Sequence, residues 1–361
     1  MGSLVADAGL DIYRGKRVLI TGHTGFKGSW LALLLKSLGA EVMGYALPPE
    51  YEGSHFERLG LDKTIRHVAA DIRDYARLNS AIQEFQPEII IHLAAQALVR
   101  RSYADPKTTF DINIDGGVNL LEAIRHCRSV RSLVFITSDK CYENVEWIWG
   151  YRENDAMGGR DPYSASKGAV ELVFASYLRS FFADRDHFGA ATARAGNVIG
   201  GGDWAADRIV PDCIRALQKG DPVVIRSPRA TRPWQHVLEP LSGYLLLAAR
   251  LYEHGHEYDG AWNFGPQVGD AHTVLDVANA IAAQFKDGSV VVDEPANPPH
   301  EAHLLQLNSD KARQLLGWTT RWDFDQTMAA TAGWYRDVLV SGENAAAVTG
   351  RQLSEYFGGQ L

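Results

Sequence analysis

Cysteine is scarce in this chain: only Cys127, Cys141 and Cys213 occur in 361 residues, and no two form a CxxC pair. That spacing excludes a disulfide framework, argues against a zinc site and suits a reducing cytoplasm. No stretch approaches the roughly 18 apolar residues that a membrane-spanning helix needs. The first fourteen residues, MGSLVADAGLDIYR, hold two acids and no long apolar run, so a secretory signal is not expected. Positive charge is also in deficit: the formal net charge is -8, whereas nonspecific nucleic-acid binding calls for a basic face. Internal repeats and low-complexity segments are missing as well. The expectation is a cytoplasmic protein with neither nucleic acid nor membrane as a partner.

What is present reads as globular. Hydrophobic residues make up 46% and charged residues 22%, so a sizeable core forms, and 361 residues are too many for most single cores. The stretch KRVLITGHTGFKGSWLALLLKSLGAEVMGYAL reads strand, glycine turn, helix, stop at Gly39, strand. Further apolar strands follow at EIIIHLAA, LVFITSDK and GAATARAGNVIG, with helical stretches between them. Strands alternating with helices predict an α/β fold, a Rossmann-type doubly wound parallel sheet. After Gly196 the texture turns loop-rich, which marks a smaller α+β substrate-binding lobe. The expected division is 12–197 plus about 233–263 for the sheet domain, and about 198–232 plus 264–361 for the second lobe. Ligands of such sheets bind at the carboxyl ends of the strands.

TGHTGFKG places Gly22, Gly25 and Gly28 between a strand and a helix, with His23, Thr24, Phe26 and Lys27 in the same turn. Glycines there permit a tight turn, close approach to a pyrophosphate and packing of helix on sheet. The second strand ends at Ala46 without the usual ribose-binding acid and without an arginine in its place, which favours NAD over NADP. Asp71 and Ile72 in AADIRD, and Ala94 and Ala95 after EIIIH, lie at the same sheet edge. Asp71 is either a partner for the adenine ring or a capping aspartate. DPYSASK sets Tyr163 and Lys167 four apart on a helix that starts just after Pro162, so they share a face. A lysine charge beside a phenol favours the phenolate, which makes a base for an alcohol proton. TSDKCYEN, at the end of a buried strand, adds Ser138 and the acid–amine doublet Asp139 and Lys140. Cys141 beside them has no histidine near in sequence and reads as a buried structural thiol.

TGxxGxxG followed by YxxxK resembles the extended short-chain dehydrogenase/reductase family over nearly the whole chain. The combination of ITSDKCYEN, WGYREN, RAGNVIGGGDW, RPWQHVLEPLSGY and NPPHEAH resembles the CDP-glucose branch of its nucleotide-sugar 4,6-dehydratases. The resemblance implies an NAD-dependent lyase acting on CDP-glucose, with the product directed to deoxysugars of surface polysaccharides such as the lipopolysaccharide O-antigen. It implies Tyr163 as base at the 4-hydroxyl, assisted by Lys167 and Ser138, and Asp139 as the acid for the leaving hydroxyl. Lys140 stands where dTDP-glucose relatives carry a glutamate base. As a base it must be neutral near pH 7, well below the usual lysine pKa of about 10.4. Asn197, Arg208, Arg232, Asn263, His300 and Glu301 match the substrate pocket, while Ala302 replaces an arginine of dTDP-sugar relatives. No metal is expected from His300 and His303. Asn113 resembles the family's buried helix asparagine, and EWIWGYREN a packed wall. Helices near 105–125 and 163–183 are expected to pair across a two-fold axis, giving a homodimer. A 4-epimerase, a dehydratase for another nucleotide and a noncatalytic NAD-binding regulator stay open as alternatives.

Overall fold

The computed structural model describes residues 9–267, 272–293 and 304–359. Seven strands form one parallel sheet: β1 (Arg17–Thr21), β2 (Glu41–Ala46), β3 (Arg66–Ala69), β4 (Ile89–His92), β5 (Ser132–Ile136), β6 (Gly189–Ala195) and β7 (Gly260–Phe264). Their spatial order is β7-β6-β5-β4-β1-β2-β3, with the crossover direction reversing between β1 and β4. That reversal opens the crevice in which doubly wound sheets hold their ligands. Every residue of β4, β5 and β6 is buried, which explains their mainly apolar or small-residue character: both faces of the sheet are covered.

Alternate strand residues serve opposite faces. Val18, Ile20, Ile89, Ile91 and Val134 pack with helix α1 (Phe26–Ser37) and the long helix at Leu238–His254. Leu19, Ile90, Leu133 and Phe135 pack with α2 (Tyr75–Phe85), α3 (Gly116–Arg125) and α4 (Pro162–Tyr177). The α4 helix begins as the sequence predicts, with Pro162 in its first turn and the Asp161 side chain accepting the Ser164 amide. The expected helix over 105–125 is instead composite, since a wide turn at Asp111–Asp115 separates Pro106–Phe110 from α3. There Asn113 is buried, bonded to Gln96 and to Ser166 of α4, so it braces backbone rather than a ligand.

The C-terminal part carries α5 (Ile209–Lys219), α6 (Leu238–His254), α7 (Val274–Ala282), α8 (Phe324–Tyr335) and α9 (Ala345–Tyr356), with three two-stranded ribbons. One apolar core runs from β1 and α1 through α6 into α8 and α9. Trp30 of α1 donates to the Gly201 carbonyl, and the Trp334 ring fills the space that a Cβ on Gly201 would need.

A buried ion pair ties the sheet to α4. Arg194 of β6 meets Glu171 of α4 through Nε and Nη2, each at 2.8 Å. Glu171 also accepts from Thr137 and Thr192, and Arg194 reaches the Tyr142 hydroxyl. Removing one partner of such a pair leaves the other charge buried and costs about 3–5 kcal/mol. Glu171→Ala is therefore expected to lose stability on that order in denaturant unfolding, and Glu171→Leu combined with Arg194→Met to recover most of it.

Candidate active site

The glycine turn after β1 is as tight as the sequence predicts. Gly22 adopts φ +76°, and a Cβ there would lie 2.7 Å from the Ala94 nitrogen; on Gly28 it would lie 2.2 Å from the Gly22 carbonyl oxygen. Gly25 precedes α1 without a side-chain cap, so the first-turn amides of α1 face outward as donors for an anion. A backbone pared down in this way fits the pyrophosphate of a dinucleotide. Thr24 Oγ1 donates to the Leu47 carbonyl at 2.9 Å, Ala94 N donates to Thr21 Oγ1, and Ile72 is buried with Gly116 against it. Asp71 is held by its own neighbour: Arg73 contacts its carboxylate at 2.6 Å, which also keeps its pKa below the usual carboxylate range.

His23 needs correction as a cofactor residue. Its ring is fully buried beneath the turn, against Phe56 and 2.7 Å from His67 Nδ1, where only a glycine at position 44 leaves room. Only its backbone is available to a ligand. Burial holds its pKa down at about 3, so it is neutral.

The doublet and the tyrosine come together at the carboxyl end of β5. Ser138 caps a short turn over Asp139–Cys141; its hydroxyl donates to Asp139 Oδ1 at 2.9 Å and accepts the Lys140 amide at 3.2 Å. Asp139 is 4% exposed, and burial raises its pKa against the pull of Lys140, Ser138, Lys27 and Arg232. Such a group holds its proton better than an ordinary carboxylic acid does. From α4, Tyr163 lies beside Ser138, which draws its phenol down, but burial outweighs this and pushes it up to about 12. Lys167 Nζ donates to the Ile136 carbonyl at 3.4 Å, and burial draws its pKa down to about 8. The expectation that Lys167 lowers the phenol is not met in this geometry; Ser138 and Arg208 are the groups that offset burial. Lys140 is half-buried beside Asp139. Cys141 is fully buried, its thiol pushed well up by burial, so it is inert as expected.

Two cations predicted for the substrate pocket join this cluster. Arg208 pairs with Asp203 at 3.0 Å and acts on Tyr163, while Arg232 acts on Asp139 and donates to the Thr231 carbonyl. Asn197 lies half-buried in the loop after β6, its carbonyl accepting the Gln235 amide. Asn263 does not belong: fully buried, it accepts from Tyr142 and donates to the carbonyls of Tyr151 and Asn308. Both its amide hydrogens are spent on backbone carbonyls and no part of it reaches the surface, so it is corrected to a scaffold residue. His300 and Glu301 lie outside the described residues. In the wall between Lys140 and Tyr163, Tyr151 is buried and stacked on Tyr142, with Trp147 leaning on it, whereas Ile148 and Trp149 face solvent.

Two contributions escaped the sequence. Lys27 reads as part of the phosphate turn, yet its side chain turns inward: burial lowers its pKa to about 8, and Arg208, Asp139, Lys167 and Asp203 all act on it. A lysine in the first turn of a helix opposes the helix dipole, and that was the available signal. Tyr244 of α6 is fully buried, with the Lys27 ammonium 5.9 Å from its ring and Asp139 and Tyr163 acting on its phenol. Nothing in an apolar helical run marks it.

Known proteins align over this whole arrangement. A CDP-glucose 4,6-dehydratase of Salmonella typhimurium is 46% identical over 350 residues, covering 96% of this chain and 97% of that one. A UDP-glucose 4-epimerase of Mycolicibacterium smegmatis is 27% identical, covering 89% and 99%. Among solved structures, the UDP-glucose 4-epimerase of Thermus thermophilus in complex with NAD superposes with a TM-score of 0.77 at 27% identity, covering 90% of this chain and all of that one. A family model described as GDP-mannose 4,6 dehydratase matches residues 19–331, from within β1 to within α8, and on that span the chain belongs to this family of extended short-chain dehydrogenases/reductases.

Proposed function

We propose that this chain is an NAD-dependent CDP-glucose 4,6-dehydratase, a hydro-lyase converting CDP-glucose to CDP-4-keto-6-deoxyglucose and water. The observation that carries the reading is the juxtaposition of Ser138, Asp139, Lys140 and Tyr163 at one strand end. A 4-epimerase needs the tyrosine but has no step for the acid–amine doublet. The 46% identity to a CDP-glucose 4,6-dehydratase supports the nucleotide choice.

NAD, held by the backbone of Gly22–Gly28 together with Asp71, Ile72, Ala94, Ala95, Tyr163 and Lys167, supplies the oxidising and reducing power at carbons 4 and 6. Tyr163 takes the proton of the 4-hydroxyl, with Ser138 orienting that hydroxyl. A ketone at carbon 4 acidifies the proton on carbon 5, and Lys140 takes it. Asp139, whose pKa burial raises, gives its proton to the hydroxyl leaving carbon 6, which departs as water. Arg208, Arg232 and Asn197 bind the nucleoside diphosphate, with His300 and Glu301 assigned to the same ligand. Arginine suits the diphosphate because it grips oxygens in pairs.

The division into a sheet domain, 12–197 plus about 233–263, and a nucleotide-sugar lobe, about 198–232 plus 264–361, belongs to the same proposal. So does a homodimer. Leu172 of α4 and Phe181 just beyond it are 65% and 50% exposed, with Tyr103 and Phe110 on neighbouring helices also uncovered. A second copy laid helix on helix buries all four. Three unpaired, buried thiols support a reducing, cytoplasmic setting, with the product entering deoxysugar synthesis for surface polysaccharide. Among the described residues no helix is long and apolar enough to cross a membrane.

Incubation with CDP-glucose and dTDP-glucose separately, read by mass spectrometry, is expected to show loss of water from CDP-glucose without build-up of NADH. No water loss from either would return the assignment to an epimerase or regulator. Asp139→Asn is expected to slow dehydration by ~10²–10⁴-fold with little change in KM, as for loss of a general acid. Leu172→Glu with Phe181→Glu is expected to give a folded monomer by sedimentation velocity.

A further inference from the structure

Gly196 follows directly on β6, just as the turn that carries Asp139 follows on β5, and the two strands are neighbours in the sheet. Its φ lies outside the left-handed region that favours glycine, so the backbone does not require a glycine there. What the glycine provides is space beside the acid. A Cβ on Gly196 would lie 3.1 Å from Asp139 Oδ2, with Pro233 Cγ at 3.7 Å and Asp139 Cγ at 3.8 Å as its next neighbours. The last two are ordinary van der Waals separations, whereas the first is tight.

The place that Cβ would take has the geometry of a hydrogen-bond partner of the acid. Its separation of 3.1 Å from Oδ2 is one over which a proton is shared. A point in line beyond the oxygen would be about 1.2 Å farther from Cγ than from Oδ2. This one is at 3.8 Å from Cγ, so it stands to the side of the C–O bond, where lone pairs and an O–H bond are directed. Oδ2 is also the oxygen that carries the proton of the neutral acid. Oδ1 accepts from the Ser138 hydroxyl at 2.9 Å, and the carbonyl oxygen of a carboxylic acid accepts better than its hydroxyl oxygen, which leaves the proton on the other side. Asp139 is 4% exposed, while Gly196 is half-buried at the carboxyl end of its strand, where such sheets receive their ligands.

We propose that Gly196 is a positioning residue for the elimination: the place its Cβ would take is where the oxygen leaving carbon 6 stands when Asp139 protonates it. The inference rests on the dehydratase reading above. In that step the carbon 6–oxygen bond and the Oδ2–H bond break, and the new O–H bond is in the water released. Lys140 takes the proton of carbon 5, and the electron pair of that bond becomes the carbon 5–carbon 6 double bond. A side chain at position 196 displaces the leaving oxygen from Oδ2. None of the three atoms nearest that Cβ belongs to α4, so Tyr163 and Lys167 still serve oxidation at carbon 4. Gly196 thereby helps to decide whether an oxidised sugar loses water or takes its hydride back.

The test is Gly196→Ala, loaded with NAD and given CDP-glucose in heavy water. Loss of water is expected to slow by ~10²-fold or more, as when a general acid is disabled. Oxidation at carbon 4 is expected to persist. It is read as NADH absorbance that builds up or, where the hydride returns to carbon 4, as deuterium gained at carbon 5 of the recovered CDP-glucose, because the ketone acidifies that position. Asp139→Asn should give the same pattern, and adding Gly196→Ala to it should slow water loss no further, since both act on one proton transfer.

A merely structural role would slow oxidation and water loss together and would add to the effect of Asp139→Asn. That result would overturn the proposal, as would Gly196→Ala losing water at the unaltered rate. An alanine variant that does not fold would overturn it too, by placing the task of the glycine in the backbone. No water loss from the unaltered protein would instead strike the dehydratase reading itself.

Discussion

The pairing of Glu171 with Arg194 is the constraint on which the site depends. Glu171 stands one turn beyond Lys167 on α4, and Arg194 lies at the end of β6. Through Thr137 the same carboxylate holds the residue next to Ser138, and through Tyr142 the guanidinium reaches the turn just past Cys141. The helix that carries the tyrosine and the strand end that carries the acid are thereby registered against each other by charge. Exclusion from water makes such a pair unforgiving, since each ion is tolerated only in the presence of the other. That intolerance is what gives the pair its directional value.

Burial then acts on the reactive groups with opposite sign. It raises the acid Asp139 and the phenol Tyr163, and it lowers the amines Lys27 and Lys167. Acids and amines are driven together toward their neutral forms, which brings the amines Lys27 and Lys167 to about 8. The cluster is rich in cations, which suits a dianionic diphosphate within a chain of net charge -8.

The sheet was legible because β1, β4 and β5 hold apolar runs of three or four residues and β6 is mostly alanine, the mark of strands covered on both faces. The start of α4 was legible because aspartate followed by proline is a helix opening in its own right. Ser138, Asp139, Tyr163 and Lys167 could be found because they sit at element ends, where spacing translates directly into position. Asn263 misled because a polar residue at the end of a strand looks the same whether it meets a ligand or three backbone and side-chain partners. His23 misled for a related reason: membership of a phosphate turn says where the backbone goes and nothing of the ring. Tyr244 was invisible because a tyrosine inside an apolar helix has the periodicity of core, and only the fold brings Lys27 and Asp139 to it.

The continuous core described above has a thermodynamic consequence. Trp30 and Trp334 meet across Gly201, and α6 packs on both the sheet and the C-terminal helices, so the C-terminal helices share the core of one face of the sheet. A fragment ending after β6 would expose the apolar face that α6, α8 and α9 cover. The cofactor turn owes its shape in part to residues more than three hundred positions further along the chain, because His55, packed on α1 through Ser29, is itself bonded to Thr349 of α9.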